Sequence, residues 1–181
     1  MLTKRPIHEL SLDEVAAEAG VSRGLLFRYF PTKTDFHKAV VGAAARRLLR
    51  ATEPDADAAP ADQLRQTLDA YVGYLERRGD LYIALVRGAG GGADYMVEIY
   101  EHTRDVMTQR LTAALGPIER TPALDLVIRG WFSFVEATSL AWRQEKTISR
   151  DELLTLLVKT LSSIVSAVRP DLKPTVDRLN V

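Results

Sequence analysis

Gly20-Val-Ser-Arg-Gly-Leu-Leu-Phe-Arg-Tyr-Phe-Pro-Thr-Lys-Thr-Asp-Phe36 is the stretch on which the reading of this chain turns. A glycine turn leads into a short helix with basic and aromatic residues on one side and apolar residues on the other. Leu26 and Phe30 are expected to point inward with Val21 nearby, and Arg23 and Phe27 outward. Upstream, Ser11-Leu-Asp-Glu-Val-Ala-Ala-Glu-Ala19 predicts a second short helix. Ser11-x-x-Glu14 is its capping box, and Leu12, Val15, Ala16 and Ala19 form its inner face. Ser22 is placed to cap the helix that follows. Two short helices joined by a glycine turn, the second exposing arginine and aromatic groups, follow the helix-turn-helix plan for entering a DNA major groove.

The residue types fit that chemistry position by position. Arg23, Gly24 and Leu25 occupy the first turn of the second helix, the part that reaches base edges. Arginine matches guanine O6 and N7 bidentately, and Leu25 and Phe27 are limited to apolar contacts such as a thymine methyl. Arg28, Tyr29 and Lys33 suit phosphates, which fix register without reading sequence. Core packing competes evenly with base contact for Phe27, and less well with phosphate contact for Tyr29.

Bulk composition narrows the class. The 181 residues are 46% hydrophobic and 27% charged, ordinary for a globular protein and enough for a sizeable core. The absence of cysteine excludes disulfides and thiolate metal sites. No apolar run is long enough to span a membrane, and no targeting segment opens the chain, so a cytoplasmic protein is expected. Net charge is zero, but residues 1–50 hold nine Lys/Arg against five Asp/Glu, a surplus of +4, and residues 51–181 hold fifteen against nineteen, a balance of −4. A basic N-terminal module on an acidic remainder suits a protein that turns one end to phosphate.

Nothing advertises catalysis. The histidines at 8, 37 and 102 form no Ser-His-Asp or Cys-His arrangement. Glu98 and His102 read as a surface pair before metal ligands, and Gly88–Gly92 lacks the Lys-Ser/Thr of a phosphate-binding loop. The expectation is a non-enzyme with no catalytic residues, no metal and no cofactor.

Helical spacing runs through almost every segment and no alternating strand pattern appears, which predicts an all-α protein. Residues 34–50 read as a connecting helix, and the proline-bounded acidic stretch 52–60 marks a boundary. The predicted division is a DNA-binding head with connecting helix over 1–50 and a helical ligand-binding and dimerisation domain over 51–181. Leu64, Leu68, Tyr71, Val72 and Leu75 begin an amphipathic helix stopped by Gly79, and Asp80 caps a shorter one to Arg87. Gly88–Ala93 is expected to be a loop. Asp94 starts a long helix ended by Gly116-Pro117. Thr121-Pro122 starts an apolar helix through Trp142, and Ser149-x-x-Glu152 is the capping box of the last. The last two helices carry apolar arcs wider than one subunit's core requires, which predicts a homodimer interface through Leu153, Leu157, Leu161 and Ile164. Two copies also suit half-site recognition.

The run Gly20-Val-Ser-Arg-Gly-Leu-Leu-Phe-Arg-Tyr-Phe-Pro-Thr-Lys33 resembles the signature of TetR-family repressors, approximately Gly-Val-Ser-x-x-x-Leu-Tyr-x-His-Phe-x-x-Lys. The resemblance implies a homodimer that reads a double-stranded, palindromic operator and is released by a small-molecule effector, with the helix near 34–50 transmitting the signal. By position, Arg23, Gly24, Leu25 and Phe27 would face bases, and Ser11, Tyr29 and Lys33 would hold the backbone. Phe27 stands where the family usually has Tyr, and Tyr29 where it has His. Members also carry a complete helix before the equivalent of Ser11, where this chain has ten residues including Pro6. The expectation is a head lacking its first helix, through an N-terminus that is not the natural one, with Leu12, Val15 and Leu26 short of apolar partners. The effector pocket is expected among Tyr74, Tyr82, Arg87, Met96, Tyr100, Trp131, Phe134 and Glu136, with ordinary core packing the competing role for each. The alternative function is a dimeric small-molecule or protein-binding module that has lost DNA recognition.

Overall fold

The computed structural model describes residues 11–89, 94–116 and 118–180, with side chains at 81, 84–89 and 180 left out. In chain order the helices are α1 (Leu12–Ala19), α2 (Arg23–Tyr29), α3 (Lys33–Ala51), α4 (Pro60–Ala89), α5 (Asp94–Ala114), α6 (Pro122–Glu145) and α7 (Arg150–Val168). A 3-10 turn (Pro170–Leu172), the short α8 (Lys173–Asp177) and a second 3-10 turn (Arg178–Asn180) follow. Among the described residues there is no strand, as the all-α reading expects.

Local chemistry starts the helices where the sequence places them. Ser149 Oγ accepts from the Glu152 N–H at 3.2 Å, and the Glu152 carboxylate accepts from the Ser149 N–H at 2.8 Å. Thr121 Oγ1 accepts from the Leu124 N–H at 3.2 Å, with Pro122 as the first helical residue. The helix from Pro60 breaks where the sequence expects: α4 is two helices meeting beside Gly79, at a kink at Arg78, whose φ of −137° and ψ of 15° lie outside helical values. One boundary differs from expectation. The last turn of α4 takes in Gly88 and Ala89, so neighbouring helix holds a glycine that isolated propensity would release. Residues 90–93 of the expected loop lie outside the described residues.

The chain forms two compact units. One comprises residues up to Arg47 with Arg78–Thr103, the other Leu48–Arg77 with Arg104 onward. In the first, Leu12, Ala16 and Leu26 are buried together, with Val15, Phe27, Phe30 and Phe36 packed on them. The expected shortage of apolar partners for Leu12, Val15 and Leu26 is therefore corrected. Phe30 and Phe36 meet edge to face, ring centres 5.4 Å apart, and help close the cluster. A second cluster joins Val41 and Met96 with Val40, Ala44, Tyr95 and Ile99. Its apolar cover raises the pKa of the Tyr95 hydroxyl.

In the second unit α6 and α7 pack against each other. Leu124, Ile128, Trp131, Val135 and Trp142 are buried on α6, and Leu153, Leu154, Leu157, Val158, Leu161 and Val165 on α7. The Trp131 indole N–H donates to the Leu157 carbonyl at 3.0 Å, satisfying its polar atom inside the core. The wide apolar arc of α7 has a cause that the helical pattern alone hides. The C-terminal segment folds back on α7, burying Leu172, Val176 and Leu179, and Ser162 Oγ donates to the Val176 carbonyl at 2.9 Å.

Cross-links between helices hold the unit's polar side. Arg150 at the start of α7 reaches α4, its Nε 2.6 Å from Asp69 Oδ1 and its Nη1 on the Glu76 carboxylate. Lys146 Nζ also meets Glu76, at 2.8 Å. Gly73 makes room for this guanidinium: a Cβ there would stand 2.9 Å from Arg150 Nη2. Arg110 of α5 donates to the carbonyls of Leu49 and Thr52 at 2.8 and 3.2 Å, satisfying groups that the end of α3 would leave open.

Candidate nucleic-acid interface

Three successive caps and one glycine position the candidate readers. Ser11 Oγ accepts from the Glu14 N–H at 3.1 Å, and the Glu14 carboxylate accepts from the Ser11 N–H at 2.9 Å. Gly20 ends α1 at a φ of 65°, the left-handed region open to glycine, and its N–H bonds back to the last turn. Two residues later the Leu25 N–H donates to Ser22 Oγ at 3.2 Å and α2 begins. Thr32 and Asp35 then exchange side chain to backbone bonds, both 3.1 Å, at the start of α3. That last device is an Asp version of the capping box that the sequence reading passed over. Lys33 is consequently the first residue of a firmly started helix.

With Leu26 turned into the cluster and Phe27 partly so, the other residues of α2 face out. Arg23, Gly24, Leu25, Arg28 and Tyr29 are exposed, as are Ser11, Ser22 and Lys33. Tyr29 stands out most among the aromatic residues, at 71% exposure. Phe27 divides its surface, partly buried against the α1–α2 cluster and partly beneath the Arg23 guanidinium, whose Cζ lies 5.3 Å from its ring centre. Arg23 also carries a contact the sequence reading did not foresee. Its Nε is 2.9 Å from Asp13 Oδ1 on α1. Ten residues separate the two, so no helical spacing rule links them, and the Gly20 turn alone brings them together.

A family model described as bacterial regulatory proteins, tetR family, matches residues 1–40, and one described as Tetracyclin repressor-like, C-terminal domain, matches residues 60–164. The chain belongs to the TetR family. A TetR-family transcriptional regulator from Streptomyces coelicolor is 26% identical with a TM-score of 0.82, over 98% of this chain and 82% of that one. A TetR-like regulator from Rhodococcus sp. RHA1 (23% identity, TM-score 0.66, 93% of this chain and 88% of that) shares the fold. So does a TetR-family regulator from Thermus thermophilus (19%, 0.61, 93% and 92%). No curated protein matches the chain. The TetR-family match spans residues 1–40, so the head is not clearly missing, against the expectation of one lacking its first helix; residues 1–10 lie outside the described residues.

The residues expected to line an effector pocket are spread over both units. Tyr74, Trp131, Phe134 and Glu136 belong to the second, and Tyr82, Met96 and Tyr100 to the first. Tyr74, Met96 and Trp131 are buried, Tyr82, Tyr100 and Glu136 half-buried, and Phe134 exposed. The Arg87 side chain lies outside the described residues. A polar depression on the second unit, lined by Glu76, Arg143, Gln144 and Lys146, includes none of them. Among the described residues no group of three acidic, histidine or cysteine side chains could hold a metal, and no helix is long and apolar enough to cross a membrane.

The expected dimer contacts need correction as well. Leu153, Leu157 and Leu161 are completely buried within the single chain, so a partner has no surface of theirs left to cover. Ile164 is half-buried. The exposed apolar surface lies elsewhere. On α6, Leu126 (71% exposed), Gly130, Phe134 (38%), Ala137 and Ala141 share one face, and Leu156 (40%) is exposed on α7.

Proposed function

We propose that this TetR-family chain is a homodimeric, effector-responsive repressor that reads a palindromic operator through α2. The observation that carries the reading is the outward face of α2. An arginine, a leucine, a second arginine and a nearly bare tyrosine are presented by a helix capped at its start and anchored by Leu26. Arg23 is the base reader, with Gly24, Leu25 and Phe27 beside it. Ser11, Ser22, Arg28, Tyr29 and Lys33 hold phosphates.

Dimerisation follows from the α6 face. An exposed Leu126 and a partly exposed Phe134, flanked by Gly130, Ala137 and Ala141, allow close approach of a second copy, and a twofold axis would set two α2 helices on one duplex. The effector is a small molecule bound among the helices of the second unit, with the buried Tyr74 and Trp131 and the half-buried Glu136 as candidate contacts. Its binding lowers operator affinity.

Selection of duplexes from a randomised library tests the reading directly. The expected product is a palindrome with half-sites about one helical turn, or a multiple of it, apart. Arg23→Ala should erase preference at one position, and Lys33→Ala should weaken all duplexes alike and lower the salt slope by about one. Leu126→Glu should give monomers by sedimentation. Affinity blind to sequence would overturn the reading and leave the dimeric binding module.

A further inference from the structure

We propose that Asp13 is a positioning residue for base reading: its carboxylate on α1 aims the Arg23 guanidinium so that the two terminal nitrogens present an end-on fork to guanine. The inference deepens the proposed function and rests on its assignment of α2 as the reader. The carboxylate takes Nε at 2.9 Å, and the Phe27 ring lies against the guanidinium face with 5.3 Å between Cζ and ring centre. Arginine has five N–H donors in a planar fork. With Nε held and one face covered by the ring, the four N–H groups on Nη1 and Nη2 remain, and two of them match guanine O6 and N7.

Stability does not explain the pair. Arg23 and Asp13 are 71% and 55% exposed, and an ion pair that open contributes little to a fold. Nor does raw affinity, because a carboxylate beside a phosphate-lined groove weakens sequence-independent attraction. What the contact supplies is orientation. A long side chain otherwise free to sweep past several bases is fixed between a carboxylate on one helix and an aromatic ring on its own. The pair therefore exchanges affinity for discrimination.

The experiment uses the full chain, a randomised duplex library, and then fluorescence titrations against the enriched duplex, its single-base variants and a scrambled duplex. Arg23→Ala first identifies the base pair that Arg23 reads. At that base pair Asp13→Ala should cut discrimination about fivefold or more, while affinity for the scrambled duplex holds or rises. Asp13→Asn keeps an oxygen that accepts from Nε and should lose only part of the discrimination. It also keeps the test valid where Asp13→Ala loosens α1. Glu18→Gln removes the same charge from the same helix and should leave discrimination intact. The proposal is overturned where both Asp13 variants discriminate like the parent, where Glu18→Gln lowers discrimination equally, or where Arg23→Ala loses no base preference. A parent chain that enriches no sequence at all fails the proposed function itself, a separate result.

Discussion

Helices α1 and α2 bury three side chains, Leu12, Ala16 and Leu26, whereas α6 buries six and α7 seven. Both regions start their helices with the same Ser-x-x-Glu device. They differ in what backs it. In the second unit a cap adds to a large apolar interface; in the head, caps and the Gly20 turn are a major part of what orders the backbone. A reading module needs its best side chains outside, so it gives up core, and local chemistry makes up the difference.

The largest test of that contrast is Leu157→Ala. It removes a completely buried side chain of α7 and should lower the global unfolding free energy by about 2–5 kcal/mol in urea titrations. Leu26→Ala should instead speed amide exchange in α1 and α2 and leave α6 and α7 protected. A global shift from Leu26→Ala as large as that from Leu157→Ala would erase the distinction. Next come the paired caps. Ser149→Ala and Ser11→Ala should each cost about 1 kcal/mol, the first read in the global transition and the second only in exchange of the head. Gly24→Ala should move the head the other way, adding up to about 1 kcal/mol of local stability, since a Cβ there meets nothing within 4 Å.

Acid sharpens the comparison further. The Ser149 N–H, and then its hydroxyl, hold the Glu152 carboxyl below its ordinary pKa. A carboxyl with a lowered folded-state pKa stabilises above its unfolded value, and that contribution disappears as pH falls through the folded one. Glu152→Gln should therefore flatten part of the loss of stability on acidification, followed by circular dichroism; an unchanged acid limb would remove Glu152 from the account. The smallest effect is expected from Asp13→Asn, whose melting curve should match the parent within about 0.5 kcal/mol.

Much of this was legible because it is local. Ser11, Ser22, Thr121 and Ser149 announce helix starts through atoms within four residues, and the all-α pattern needs only periodicity. The exposure of Gly24, Leu25, Arg28 and Tyr29 followed from 3.6-residue geometry once Leu26 was turned inward; that of Arg23, which the same geometry sets close to Phe30, did not. What stayed hidden depends on distant chain. Leu153, Leu157 and Leu161 looked like surface for a second copy because periodicity cannot say which part of the chain covers an arc; here α6 and the C-terminal segment both pack on α7. The break at Arg78, by contrast, lies one residue from the Gly79 that marked it in the sequence. Asp13 meets Arg23 across a turn, and Arg110 reaches Leu49 and Thr52 from about sixty residues away, contacts that no spacing rule encodes.

Gly24 has a consequence for how such a protein changes. It is an unoccupied socket between Arg23 and Leu25, opening on empty space and asked for by nothing in the fold. On the reading proposed for α2, a side chain introduced there lands on the duplex without disturbing its neighbours. New operator preferences are thus one substitution away, with no compensating change required in the rest of the chain.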